Sequence, residues 1–486
     1  MKRIGVFLGT VTAIIVVILL AQIGRAQASD PETKTEKTTI QARSADKFVD
    51  SMGINVHMES SHAPYSDYGL INGELPLLGM RHFRDEINDI DGLFVSEINY
   101  IGTLGYSLCG LIEGGNDYPG LKKRLQASKV VPMIENLLPT IDAVEGPNEP
   151  DDNPPPFEYD GVCTSKEKQT CYPLGAIQES EDLWHIVKHS SIDGSAEIRH
   201  LPVLGMSEGA STDFLILAAA TGGKPFPQST YGNMHAYQGG SVGDADLVKT
   251  YIPNAQAFTG PDKPLWTTEM GYHNYTKYLS DQEQQGVSER AAAIYLPIAF
   301  LSGFRNNVVR TFSYELNDEV DDPNLTHKCG PSPSGINYCS GEGHYGLFDY
   351  HGNPKPALTA VKNLVELLQE PGSKDFQPGS LMLTIEGAPY TVEYTLLQKS
   401  NGDYYLAIWN DLQVYWLATS DSPGMDKYPK NVPVTLRFCE HHAFTVYAPN
   451  DSSGTNPTDS YTLSTTLNSI ELDLPAKVLL VKIVSK

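Results

Sequence analysis

Ile141-Asp142-Ala143-Val144-Glu145-Gly146-Pro147-Asn148-Glu149-Pro150 is an apolar run that ends on a carboxylate. Lys263-Pro264-Leu265-Trp266-Thr267-Thr268-Glu269-Met270-Gly271 repeats that pattern 120 positions later. Short apolar runs of this kind read as strands buried on both faces. A carboxylate at the C-terminal end of a barrel strand stands where barrel enzymes do their chemistry. Two carboxylates at the right separation are the minimum equipment for cleaving a glycosidic bond.

Similar stretches recur on either side at barrel spacing. Met52–His57, Gly79–Asp85 and Tyr106–Leu111 precede the Glu149 run. Leu201–Met206 and Tyr231–Tyr237 lie between the two glutamate runs, and Asn307–Tyr314 follows them. Helical periodicity fits between the strands, as in Ser288–Ser302. In Ala357–Gln369, residues Leu358, Val361, Leu364, Val365 and Leu368 are spaced three and four apart. Eight strands alternating with helices predict an α/β fold, a (β/α)8 TIM barrel, over residues 42–371. Beyond Gly372 the period drops to two. Asn401-Gly402 between two apolar runs signals a hairpin, so residues 372–486 are expected to form a small antiparallel β-sandwich.

At 486 residues and 40% hydrophobic content, the chain has material for a large packed domain and a smaller one. Its formal charge of −24 repels phosphate backbones and argues against a nucleic-acid partner. Lys2 and Arg3, the uncharged run Ile4–Gly24 and Ala26-Gln27-Ala28 have the order of a signal peptide covering residues 1–28. Its removal takes three positive charges and leaves −27. The alternative is an uncleaved anchor, and no other segment is suited to span a membrane. Either way the protein is expected to be secreted or held in the cell envelope. Residues 29–41 are polar and read as a flexible lead-in. Export permits disulfides. Cys163 and Cys171 bracket a short polar loop, and Cys329 and Cys339 bracket another, so each pair reads as a local bridge. Cys109 and Cys439 read as buried free thiols.

The residues at the strand ends supply a full constellation. Asn148 can hydrogen-bond a sugar hydroxyl. Arg84 can hold Glu269 ionised by opposite charge. Tyr237 can donate to the same carboxylate, and His235 lies on its face. By strand alternation Glu269 points with Thr267 and Leu265, which leaves Trp266 toward the helices. Glu145, deeper in its strand, reads as a structural acid. The histidines at strand ends (His57, His82, His235, His273) lack the partners of a catalytic metal centre, so no metal or cofactor is expected. Gly205-Met206-Ser207-Glu208-Gly209 matches the G-x-S-x-G elbow of serine esterases, but a helix must follow the serine at once and Gly209-Ala210 intervene. A barrel that binds carbohydrate without turning it over is the other rival.

Asn148-Glu149-Pro150 after a fourth strand, with a second Glu ending a seventh, resembles clan A of the glycoside hydrolases. Gly346-Leu347-Phe348-Asp349 and Gly352-Asn353-Pro354-Lys355-Pro356-Ala357 are similar to the last barrel loop and helix of that clan. The following β-domain is similar to its families 39 and 30. The resemblance spans roughly Ala45 to Lys486. It implies a retaining (β/α)8 glycosidase acting on an oligo- or polysaccharide, with Glu149 as acid/base and Glu269 as nucleophile. It also implies Asn148 as partner of the sugar 2-hydroxyl, with Arg84 and Tyr237 supporting the nucleophile. Many clan members carry a Trp at the end of the eighth strand. Here Phe312 and Tyr314 occupy that strand, and Tyr314 is the aromatic expected at the sugar.

Overall fold

The computed structural model describes residues 33–485 apart from 89–90, 115, 119–120, 152–157, 161–167, 244–245, 281–283, 334, 373–374 and 459–466. The N-terminal segment expected to direct export lies outside the described residues. Among those described, no helix is long and apolar enough to cross a membrane.

Seven strands form one parallel sheet in the order Gly232–His235, Leu265–Met270, Thr311–Ser313, Met52–Asn55, His82–Glu86, Ser107–Leu111 and Ile141–Glu145. The gap between its two edges is closed by Val203, bridged to Val144, and Leu204, bridged to Tyr231, both parallel. The fifth strand is thus reduced to two bridges beside Pro202, which has no N–H to add to the ladder. Each strand is followed by a helix, as a right-handed parallel barrel requires.

Two apolar layers hold the barrel. Outside, strands and helices share a large core. Inside, Cys109, Ala143, Leu204, Trp266 and Phe312 pack as one cluster. Trp266 and Phe312 stack with centroids 6.0 Å apart. Gly53 makes room for them, because a Cβ there would stand 2.4 Å from the Phe312 ring.

That interior cluster corrects the strand-alternation reading. Trp266 faces the barrel axis, whereas Leu265 packs with Phe214 and Phe258 on the helical side. The cause is a bulge. Met234 pairs with Thr267, but His235 pairs with Glu269, so Thr268 is an extra residue. Thr268 and Glu269 both project inward as a result, and the run of alternate faces breaks just before the site.

Eight further strands form a mainly antiparallel sheet that folds over its own apolar face as a sandwich. Val432–Tyr447 spans it, pairing first with Ser380–Pro389 and Leu467–Leu474 and then, past a register break, with Leu479–Ser485. Val392–Gln398 and Tyr404–Asn410 make the hairpin expected around Asn401-Gly402, with Gly402 at φ 93°. The lead-in is not a loose tail: Thr33–Gln41 is a strand paired antiparallel with Ser380–Pro389. Helix Glu289–Arg305, capped by Ser288, is buried on every side from Ala291 to Phe304 because it lies between barrel and sandwich. Val414 N–H donates to Tyr295 on that helix (2.7 Å). Trp409 is 1% exposed and belongs to this junction, whereas Trp416 is 56% exposed.

Of the two expected bridges, Cys329 and Cys339 are bonded. The other expected pair is Cys163 and Cys171. Cys171 lies in the first turn of the helix Lys168–His189. The adjacent Tyr172 packs with Met206 and Phe214 in the outer core, which anchors that turn as helix. A bond from Cys171 to Cys163 is not among the described contacts, because Cys163 and the Cys171 side chain lie outside the described residues. Cys109 is buried as expected, whereas Cys439 is exposed on the outer surface of the sandwich.

Candidate active site

A cavity of about 300 Å³ opens at the C-terminal end of the barrel strands. Arg84, Asn148, Glu149, Tyr237, Glu269 and Tyr314 all line it. His235 lies directly beneath, fully buried and touching both glutamates.

Arg84, on the second strand, organises the floor. It pairs bidentately with Glu145 (Nε–Oε2 2.9 Å, Nη2–Oε1 3.0 Å). Its Nη1 donates to Glu269 Oε1 (2.7 Å) and to Asn55 (2.9 Å), and its Nη2 donates to Asn148 Oδ1 (2.7 Å). Such a fork matches several acceptors at fixed angles, which a lysine ammonium could not do. Glu145 is wholly buried and also accepts from Asn233 (2.8 Å) and Thr268 (2.9 Å). All its partners belong to the barrel wall, so it anchors the arginine.

Glu269 Oε1 accepts from Arg84, and Oε2 accepts from the Tyr237 hydroxyl (2.8 Å). Burial alone would raise its carboxyl. The charges of His235 and Arg84 and the Tyr237 hydrogen bond outweigh burial and hold it below the usual carboxylate range. Tyr237 is in turn fixed by Tyr251, whose hydroxyl donates to the Tyr237 carbonyl (2.6 Å).

Glu149 stands on the loop after the fourth strand, with its side chain 24% exposed. Its backbone takes a φ of 37°, a left-handed conformation uncommon for a side-chain-bearing residue. Neighbouring bonds hold this strained turn. Asn148 N–H donates to Glu113 (3.1 Å), and Asp151 accepts from the N–H groups of Gly209 (3.1 Å) and Ala210 (2.9 Å). Glu149 Oε1 lies 2.5 Å from His235 Nδ1, and Glu269 Oε2 lies 3.4 Å from that same nitrogen. One carboxylate oxygen from each glutamate falls within 4.8 Å of the other. Burial lowers the His235 imidazole, but the two facing carboxylates raise it more.

Several cavity residues were not foreseen. Tyr345 meets Tyr237 and Tyr314 edge to face (5.7 and 5.4 Å), and His57 meets Tyr314 at 5.5 Å. Glu342 accepts from the Tyr314 hydroxyl (2.6 Å). Glu342 and Tyr345 lie just upstream of Gly346-Leu347-Phe348-Asp349, and that position is the signal that could have found them. The esterase elbow is not assembled: the Ser207 hydroxyl is buried with no hydrogen-bond partner, and the next helix begins only at Asp213.

No family model matches this chain, and no curated protein sequence does. Solved structures match it in fold. A family 39 glycoside hydrolase from Bacteroides cellulosilyticus WH2 aligns over 94% of this chain and 89% of its own, with TM-score 0.51 and 13% identity. A family 39 enzyme from Xanthomonas axonopodis pv. citri aligns over 95% and 98%, with TM-score 0.52 and 13% identity. A glucosidase from Croceicoccus marinus aligns over 94% and 100%, with TM-score 0.53 and 11% identity. The likeness covers barrel and sandwich together, so the chain is similar in fold to family 39 glycoside hydrolases.

Proposed function

We propose that the chain is an exported retaining glycosidase acting on an oligo- or polysaccharide. The observation that carries this reading is the pair of glutamates facing one cavity with oxygens within 4.8 Å. Retaining glycosidases hold their carboxyl groups roughly 5 Å apart, whereas inversion needs room for a water and a gap of about 6.5–9.5 Å. The fold shared with family 39 enzymes supports the same reading. Export rests on the N-terminal sequence pattern and accords with the Cys329–Cys339 bond.

In the mechanism, Glu269 is the nucleophile. Arg84, Tyr237 and His235 keep it ionised and aimed. Glu149, the more exposed of the two, protonates the leaving oxygen. While Glu269 is ionised, its charge opposes ionisation of Glu149 and favours the acid form. Once Glu269 is esterified by the sugar that charge is gone, and Glu149 can act as the base that activates water. The Asn148 carbonyl oxygen is held by Arg84, which orients the amide N–H toward a sugar hydroxyl. Tyr237, Tyr314 and Tyr345 form the aromatic wall on which the ring rests.

The test is a turnover screen of the mature chain on plant, fungal and bacterial glycans, with the first-formed product anomer read by NMR. Retained configuration is expected, together with a loss of at least ~10³-fold in kcat for Glu269→Gln, about 4 kcal/mol of transition-state stabilisation. An inverted product would remove the double displacement. Glycan binding without any turnover would instead favour the carbohydrate-binding barrel.

A further inference from the structure

We propose that His57, Glu315 and Glu319 form a binding site for one divalent cation beside the cavity. One ligand atom from each lies within 4.8 Å of the other two. Glu315 follows Tyr314 at the end of the eighth strand, and its side chain is 0% exposed. Its Oε2 accepts from Tyr65 (2.8 Å) and lies 3.6 Å from His57 Nε2. Its Oε1 is equally buried and meets no donor. A buried carboxylate oxygen left unmet is disfavoured unless a positive charge or a proton reaches it.

The surroundings sharpen that need. His57 Nδ1 lies 3.7 Å from Glu59, which faces Asp85, and Asp85 Oδ1 is also buried without a donor. Glu342 approaches from the other side through Tyr314. Three carboxyl groups, those of Glu59, Glu315 and Glu319, therefore face a single imidazole, with Asp85 behind Glu59 and Glu342 beyond Tyr314. The Arg84 guanidinium gives its donors instead to Glu145, Glu269, Asn55 and Asn148.

A metal ion fits this nest better than a substrate group does. Burial of the whole Glu315 side chain admits a bare ion and excludes a sugar substituent. Two carboxylates with one imidazole form a mixed oxygen and nitrogen set that suits Mn²⁺ or Zn²⁺, whereas Ca²⁺ prefers oxygens alone and more of them. Such an ion would tie the end of the first strand to the loop after the eighth, which carries Glu342. It would thereby fix Tyr314 and Glu342 at the cavity wall without touching the reacting glutamates.

The mature full-length chain, stripped with EDTA, would be titrated calorimetrically with Mn²⁺ and Zn²⁺, with Ca²⁺ as the oxygen-only comparator. Metal content would be counted by mass spectrometry. Expected is a single equivalent of Mn²⁺ or Zn²⁺, a raised Tm, and Ca²⁺ binding at least about tenfold weaker. Glu319→Gln, at a half-buried position that spares the fold, should weaken binding by about tenfold or more, and His57→Gln likewise. Glu149→Gln should leave it unchanged, which separates this site from the Glu149–His235–Glu269 group. No uptake at millimolar metal would overturn the proposal, as would binding lost in Glu149→Gln but kept in Glu319→Gln. These readouts are independent of turnover, so they stand or fall apart from the glycosidase reading.

Discussion

His235 Nδ1 sits 2.5 Å from Glu149 Oε1, so one buried ring nitrogen touches the carboxyl group proposed as the acid/base. The same nitrogen faces Glu269 at 3.4 Å. The imidazole thus couples the two carboxyl groups electrostatically.

The coupling sets a pH dependence with a definite sign. Glu269 is held below its ordinary value, so what its ionised form contributes is present above the usual carboxylate range and is lost as pH falls through its depressed value. His235 is held above its ordinary value of about 6.5, so its charge contributes below that pH and is lost as pH rises through its raised value. Replacing His235 with Gln removes a positive charge beside Glu269. The acidic limb of the kcat/KM profile should move to higher pH, by about one unit. A profile unchanged in its acidic limb would mean that His235 does not hold the nucleophile ionised.

Glu149→Ala should depend on the leaving group. Substrates whose aglycone departs without protonation, such as dinitrophenyl glycosides, should retain a far larger share of kcat/KM than natural glycosides do, while loss of the base slows the second step for both. Added azide should accelerate turnover and yield a glycosyl azide of retained configuration. Equal losses on both substrate types would assign the acid to another residue.

Arg84→Met should destabilise the barrel by about 3–5 kcal/mol, because it leaves Glu145 as a buried charge without its partner. A double variant that also converts Glu145 to Gln should recover part of that loss in chemical denaturation while remaining inactive. Additive losses in the two variants would contradict the pairing.

Gly53→Ala tests the interior cluster. The added methyl meets the Phe312 ring, which is stacked on Trp266 and cannot retreat, so a cost of about 1–3 kcal/mol is expected. Pairing it with Phe312→Leu should relieve much of the strain, as read from the denaturation midpoint.

Much of the barrel was legible because parallel strands buried on both faces leave apolar runs, and two of those runs end on the glutamates that the structure brings to one cavity. The bulge at Thr268 was not legible. Nothing in Thr267-Thr268-Glu269 marks an inserted residue, since the insertion exists only relative to the neighbouring strand. Alternation therefore misplaced Trp266 while still aiming Glu269 correctly. Thr33–Gln41 escaped for another reason. Its sequence, TKTEKTTIQ, is polar on both faces, as an edge strand can be, and its partner lies some 340 residues away. Glu342 and Tyr345 belong to a single 3-10 turn and its C-cap, too short for periodicity to say which way a side chain turns.

The pairing of Thr33–Gln41 with Ser380–Pro389 has a consequence for biogenesis. A nascent chain presents the first of these strands long before the ribosome has made the second, so the sandwich cannot close until translation has passed through the whole barrel. Through that interval a Thr- and Lys-rich segment waits unpaired, and its charges discourage it from pairing with a neighbouring chain instead.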